Sequence, residues 1–228
     1  RHAGHRVELL SPLAIGVTGQ MRDQRAKPWS YWDERLRWWT ATTATPGVQA
    51  TRRWIGRLRA PSTGRSLSRI LDEVKGALTR APEVVLISAY YMYEDAVREI
   101  VALCGKADIP VIVGGPGFTD DAAATAWLGF DGLTALVAGE CEPFLAEMVE
   151  RAHRGEDLRD LPGCSVPGSP LSPPAPPLRG LDQLPVPDYD DFPWDRYPTR
   201  VISMLTGRGC GWGVCTFCSD VLTATGRT

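Results

Sequence analysis

The sequence predicts an α/β fold built on a doubly wound parallel sheet, and three features carry that expectation. Apolar runs without alternation recur at 83–88, 109–113 and 133–138, the pattern of parallel strands covered on both faces. Stretches with helical periodicity separate them, as right-handed crossovers between parallel neighbours require. Glycines cluster where the runs end, where ligands bind in sheets of this kind.

Taken in order, the first element is RVELLSPL, Arg6 to Leu13, a short apolar run after a Gly-His turn that reads as a strand. From Gly16 to Gly64 there is no clean period, yet five of the eight tryptophans (Trp29, Trp32, Trp38, Trp39, Trp54) lie there among many arginines. Basic residues interleaved with aromatics can stack bases and pair phosphates. The alternative is an inserted helical segment whose tryptophans pack on the main domain or a partner while its arginines snorkel outward. The near balance of 25 basic and 27 acidic residues, net charge −2, favours the second reading and gives no field toward nucleic acid or anionic lipid.

From Ser66 the signals become regular. SLSRILDEVKGAL carries a helical stripe at Leu67, Ile70, Leu71, Val74 and Leu78 behind a serine cap. The strand EVVLIS, Glu83 to Ser88, follows. In EDAVREIVALCG the face Val97, Ile100, Val101 and Cys104 predicts a helix with a core cysteine, ended by Gly105 as a left-handed cap. Next come the strand IPVIVGGPG (Ile109 to Gly117), a short helix in DDAAATAWLG opened by acids, and a strand in LTALVAGE that reaches Ala138. EPFLAEMVERAHRG then predicts a helix with Pro143 in its first turn and an apolar face of Phe144, Leu145, Met148 and Ala152. The pace is that of a Rossmann-like or flavodoxin-like sheet.

The predicted strand ends bring Ser88, Gly114, Gly115, Gly139 and Glu140 to one rim. Two glycines after a strand let a bulky ligand approach the backbone with no Cβ in the way; equally, glycine there is ordinary turn punctuation. Beyond the rim the composition changes. Eleven of the nineteen prolines fall between Pro162 and Pro198, so PGSPLSPPAPPLRG cannot form an ordinary helix or central strand and reads as a linker. Its second half, LDQLPVPDYDDFPWDRYP, is apolar and aromatic enough to lie along a surface. One more strand, Val201 to Thr206, leads into GRGCGWGVCTFCSD.

Apolar runs fall short of the roughly 20 residues that cross a bilayer, and RHAGHRVELL lacks the apolar core of a secretory signal. The sequence therefore predicts a cytoplasmic chain, where six cysteines serve as free thiols or metal ligands rather than disulfides. Cys141 and Cys164 stay open between core and surface, with Cys141, beside Glu140, of particular interest. Cys210, Cys215 and Cys218 stand within nine residues, with four and then two residues between them. A closed zinc site would need a fourth ligand, and His2, His5 and His153 are remote in sequence. An iron-sulfur cube held by three thiolates leaves one iron open to a small chelating ligand.

At these residues the chain resembles the radical S-adenosylmethionine enzymes, whose loop after the first strand of a (β/α) barrel carries three cysteines and an aromatic residue just before the last. Here Phe217 holds the aromatic place. The resemblance implies that Cys210, Cys215 and Cys218 hold a [4Fe-4S] cluster, that its open iron chelates S-adenosylmethionine, and that Phe217 packs near the adenine. This loop has one residue more than the family's usual spacing between the first two cysteines, which Gly211 and Gly213 can absorb.

GHRVELL, IPVIVGGPGF, LVAGECEPFL and LDQLPVPDYDDF, in that order, resemble the cobalamin-binding domain that precedes the barrel in one subgroup. That implies a corrin over the strand ends, a nucleotide tail passing Gly114 and Gly115, and Ser88, Gly139 and Glu140 nearby. The DxHxxG loop that supplies an axial histidine in other cobalamin proteins is absent. The implied organisation is a cobalamin-binding-like domain at 1–160 with an insertion at about 16–64, a linker at 161–198 and the start of the radical domain at 199–228. Both ends read as truncated, since the chain begins with Arg1 and most of a barrel would follow Thr228. The expected reaction of the whole enzyme is methyl transfer to, or rearrangement of, an unactivated carbon in a small molecule or peptide, fed by a one-electron reductant protein. The competing expectation is a nucleotide- or zinc-binding or electron-transfer module without radical chemistry.

Overall fold

The computed structural model describes residues 4–11, 30–43, 45–48, 51, 63–90, 93–115, 118, 121–178, 180–196, 202, 208–209 and 214–216. The chain divides into two compact units. One comprises Arg1–Val7, Ala81–Asp188 and Val201–Thr228, the other Glu8–Arg80 and Tyr189–Arg200.

The first unit holds a four-stranded sheet. Its strands are β1 (Val85–Ser88), β2 (Val111–Gly114), β3 (Ala135–Val137) and β4 (Cys164–Ser165), hydrogen-bonded in the order β1-β2-β3-β4. β1, β2 and β3 run parallel, with Val85 opposite Val111 and Ile112 opposite Ala135; β4 runs antiparallel to β3, with Val137 opposite Cys164. The mixed α/β class and the largely parallel sheet agree with the expectation from sequence. Among the described residues the strand order runs in one direction without the reversal of a doubly wound sheet.

The parallel strands form where apolar residues run without alternation. Val111, Ile112 and Val113 of β2 and Ala135, Leu136 and Val137 of β3 are all buried, so each strand is covered on both faces. β1 departs from that expectation. Leu86 is 48% exposed and Ser88 is also exposed, because β1 pairs only with β2 among the described strands and stands at an edge.

Pleating divides the core in two. Ile112, Ala135 and Val137 share one face and join Met148, Ala152, Leu158, Leu161 and Cys164 in a single cluster. Met148 and Ala152 come from α5 (Leu145–Arg154), which a three-residue 3₁₀ turn, Glu142–Phe144, introduces with Pro143 at its start. Toward the opposite face, α3 (Glu94–Lys106) contacts β2 and α4 (Asp121–Leu128) contacts β3. α3 buries Ala96, Val97, Ile100, Val101 and Cys104. Trp127 of α4 is 1% exposed, stacked on Phe130 at 5.1 Å and edge-on to Phe118 at 5.0 Å.

Gly105 is not the cap of α3. The helix continues to Lys106, and Asp108 adopts the left-handed conformation at φ 56°. Gly105 lies where a Cβ would come 2.6 Å from the Cα of Gly132, so its lack of a side chain serves a helix-to-turn crossing.

The second unit holds α1 (Tyr31–Thr42) and α2 (Thr63–Leu78). α2 starts ahead of the serine expected to cap it, and its stripe is as expected, with Ile70 and Val74 buried. α1 confirms helix within the tryptophan-rich segment, and Trp32, Trp38 and Trp39 on it are 75%, 69% and 51% exposed. Trp29 and Trp54 lie outside the described residues.

The strand expected at Arg6 to Leu13 does not form over residues 6–11. Val7 and Leu9, the alternate apolar positions, are about half exposed at 49% and 48%, and Glu8 is held instead by the guanidinium of Arg80, whose Nε donates to Oε2 at 2.9 Å. Of the strand expected at Val201 to Thr206 only Ile202 is described; it is exposed and outside any strand, and the other five positions lie outside the described residues. Among the described residues no helix is long and apolar enough to cross a membrane.

Candidate functional site

The carboxyl ends of β1, β2 and β3 form the rim expected from the sequence. Ser88 pairs with Gly114 in register, and the next amide, Ala89 N–H, donates to the Gly114 carbonyl at 2.8 Å. Ser88 is exposed there. Gly115 has φ +131°, and a Cβ on it would lie 2.2 Å from the carbonyl oxygen of Ala89 and 2.8 Å from its nitrogen. The chain's own backbone therefore demands glycine at this position. A Cβ on Gly114 would meet Val137 O at 3.5 Å, an ordinary contact.

The exit of β3 is closed by the proline-rich segment. Ala138 N–H donates to Gly163 O at 3.0 Å, and Ala175 N–H donates to Ala138 O at 2.8 Å. Gly139, at φ +89°, forms a parallel bridge with Ala175, whose carbonyl oxygen lies 2.4 Å from where a Cβ would sit. Residues read from sequence as linker thus extend the sheet at its edge, where proline is tolerated.

Glu140 and Glu142 project alongside each other while Cys141, between them, packs against the core cluster. Glu140 Oε2 accepts from the Leu178 N–H at 2.8 Å and lies 3.2 Å from Nη1 of Arg208. Nη2 of the same guanidinium lies 2.5 Å from Glu142 Oε1. The Arg208 side chain is 25% exposed, that of Glu140 16% and that of Glu142 33%, so the bridge is screened from water chiefly on its Glu140 side. The hydrogen bond to Glu142 holds the guanidinium above its ordinary pKa. Arg208 stands two residues before Cys210, so the bridge ties the start of the cysteine loop to the rim.

Burial, then the charge of Glu142, pushes the Cys141 thiol up, which removes it as a ready nucleophile at neutral pH. Burial raises Cys104 to about 11 and Cys164 to about 12; both are core residues. Cys215 is half-buried, while Cys210, Phe217 and Cys218 lie outside the described residues. Among the described residues no group of three or more His, Cys, Asp or Glu side chains converges as a metal site.

Of the expected site residues, the structure therefore brings Ser88, Gly114, Gly115, Gly139 and Glu140 to one end of the sheet. It adds three groups that the sequence reading missed: Arg208, Glu142 and the Leu178 amide. The available signal was GRGC, a lone cation in a glycine turn just ahead of the first loop cysteine.

No family model matches the chain. No solved structure matches it. An uncharacterized methyltransferase of Pyrococcus horikoshii is 30% identical over 151 residues, which cover 62% of this chain and 32% of that protein. The chain is thus similar, over most of its own length, to about a third of that relative.

Proposed function

We propose that this chain is the cofactor-binding part of a methyltransferase of the radical S-adenosylmethionine class, with a cobalamin-type ligand at the sheet rim and an iron-sulfur cluster on the cysteine loop. The single observation that carries this reading is the bridge from Arg208 to Glu140 and Glu142. It holds the start of the cysteine loop beside the strand ends, where two cofactors that must cooperate would need to be. The similarity to a protein described as a methyltransferase supports the transfer of a methyl group.

The donor chemistry fits. Three soft thiols within nine residues suit iron and sulfide better than a hard cation. When bound, such a cluster supplies the electron that cleaves the sulfonium of S-adenosylmethionine. The residues of this chain hold and orient: Cys210, Cys215 and Cys218 as ligands, Phe217 against the adenine, and Ser88 with the backbone at Gly114, Gly115 and Gly139 along the ligand at the rim. Ser88 and Gly139 are exposed and so reachable by a large planar ligand. Glu140 acts through its contacts with Leu178 and Arg208.

Anaerobic reconstitution of the full 228-residue chain with ferrous iron and sulfide tests this reading. The expected result is a brown protein whose electron spin resonance changes on adding S-adenosylmethionine and which loses iron when Cys210, Cys215 and Cys218 are all changed to alanine. A colourless protein with stoichiometric zinc, or iron uptake unaffected by the triple change, overturns it in favour of a zinc-binding or electron-transfer module.

A further inference from the structure

The exit of β1 carries an exposed aromatic ring that packing into the core does not explain. Exposure alternates along the strand and past its end: Leu86, Ser88 and Tyr90 are exposed, while Ala89, between the last two, is 1% exposed. Ser88 and Tyr90 therefore share a face. It is the face of Ile112 and Val137, since Leu86 pairs with Ile112, and a Cβ on Gly114, the partner of Ser88, would lie 3.9 Å from Val137 Cβ.

The main chain holds Tyr90 from both sides. Ala89 N–H donates to Gly114 O at 2.8 Å, and the Ala89 carbonyl, whose carbon bonds to the nitrogen of Tyr90, is the group pressed against Gly115. On the other side Tyr93 N–H donates to Tyr90 O at 3.0 Å. The Tyr90 and Tyr93 rings meet edge to face, with centroids 6.4 Å apart and planes at 82°, a favourable arrangement for aromatic pairs. Tyr93 can cover at most one face of the Tyr90 ring, and Tyr90 is 52% exposed. A ring on a fixed backbone thus stands beside Gly115 with a face open to solvent.

Charge selects the ligand. Between Ser88 and Arg98 the sequence holds two acids, Glu94 and Asp95, and one cation, Arg98 itself. Glu94 and Asp95 lie in the first turn of α3 and take the favourable end of its dipole. Arg98 donates to Glu94 at 2.6 Å and its guanidinium sits 4.1 Å from the centroid of the Phe130 ring. This corner suits an uncharged flat ring better than a phosphate.

We propose that Tyr90 is a binding residue whose open face stacks on the heteroaromatic base of a nucleotide-bearing ligand lying along the rim past Gly114 and Gly115. The proposal rests on the cofactor-binding role proposed above for the rim, and adds the residue that recognises the base. Two ligands share that chemistry, the benzimidazole nucleotide of cobalamin and an adenine nucleotide, and the test has an arm for each.

Equilibrium dialysis of the full 228-residue chain measures binding of hydroxocobalamin and, separately, of AMP in the parent, Tyr90→Phe, Tyr90→Leu and Tyr90→Ala. Stacking of a base on an aromatic side chain predicts binding weakened about 5- to 150-fold in Tyr90→Ala. Tyr90→Phe keeps the ring and should stay within about twofold of the parent, whereas Tyr90→Leu keeps apolar bulk without a π face and should lose nearly as much as Tyr90→Ala. Nitration by tetranitromethane, located by peptide mass spectrometry, gives a second readout: bound ligand should protect Tyr90 and leave Tyr31 of α1, 62% exposed, unchanged. Hydrogen exchange at Val85 and Ala89 reports the integrity of the strand, and if it is lost in Tyr90→Ala, the comparison of Tyr90→Leu with Tyr90→Phe decides.

Tyr90-dependent binding of hydroxocobalamin supports the proposal and the cobalamin reading together. Tyr90-dependent binding of AMP alone keeps the stacking platform and removes cobalamin from the rim. A ligand bound equally by the parent, Tyr90→Leu and Tyr90→Ala, or one that saturates the parent without protecting Tyr90, overturns the platform; where that ligand is hydroxocobalamin, the cobalamin reading stands. A parent that binds neither ligand overturns both.

Discussion

Gly115→Ala separates two explanations of the same glycine, one in which a ligand requires the space and one in which the chain does. The substituted Cβ would sit 2.2 Å from Ala89 O and 2.8 Å from Ala89 N at φ +131°. Holding alanine in that conformation costs about 1–3 kcal/mol. Relieving an overlap with backbone costs about 1–3 kcal/mol more, because the obstacle cannot swing away as a side-chain end would. Displacing Ala89 also weakens its 2.8 Å hydrogen bond to Gly114 O, worth about 1 kcal/mol. The expected loss is about 3–7 kcal/mol, a large part of a typical domain's stability. Gly114→Ala is the control, since its Cβ would meet Val137 O at an ordinary 3.5 Å; it should change stability by less than about 1 kcal/mol. The chain has two compact units, so a single unfolding midpoint would blend them. Native-state hydrogen exchange at the amides of Val85 and Ala89, which donate to Pro110 O and Gly114 O, reads the affected strands directly. Parent-like protection in Gly115→Ala together with lost ligand binding would refute the backbone explanation and restore the ligand one.

Two further outcomes are expected. Trp127→Ala should cost about 3–5 kcal/mol, read as accelerated exchange in α4 and β3, because the indole is 1% exposed between Phe118 and Phe130; a loss below about 1 kcal/mol would contradict that packing. Cys104 and Cys164 should make stability fall in alkali. Their thiols are raised from 9.0 to about 11 and about 12, so the unfolded chain ionises first. The stabilising contribution is whole below pH 9.0 and is lost as pH rises through those values. Replacing both with alanine should flatten the alkaline limb of a pH-stability curve; an unchanged limb would assign it to other groups.

Local pattern alone determined much of this molecule. The stripes Leu67, Ile70, Leu71, Val74, Leu78 and Val97, Ile100, Val101, Cys104 were legible as helices; Ile70 and Val74 of the first and all four of the second are buried, while Leu67, Leu71 and Leu78 are half-buried. β2 and β3 were legible because unbroken apolar runs between helices have few other ways to bury themselves. Periodicity says nothing of partners, however, and the corrections share that cause. Val7 and Leu9 look like one face of a strand, yet residues 6–11 pair with no strand and both side chains are half exposed. β1 has the apolar run of a central strand but stands at an edge among the described strands. Gly105 reads as a cap by its place after an apolar face, whereas its role is set by Gly132, 27 residues away in the chain.

The site follows the same division. Residue types chose the chemistry that Cys210, Cys215 and Cys218 could support, and strand ends located Ser88, Gly114, Gly115, Gly139 and Glu140 on one rim. Only the tertiary structure assigned Ala175 to the exit of β3 and Arg208 to Glu140 and Glu142. The physical reason is range. Propensity and periodicity act over a few residues and are written in the local sequence, whereas a hydrogen bond or ion pair between remote segments exists only once the packed sheet has set the distance between them.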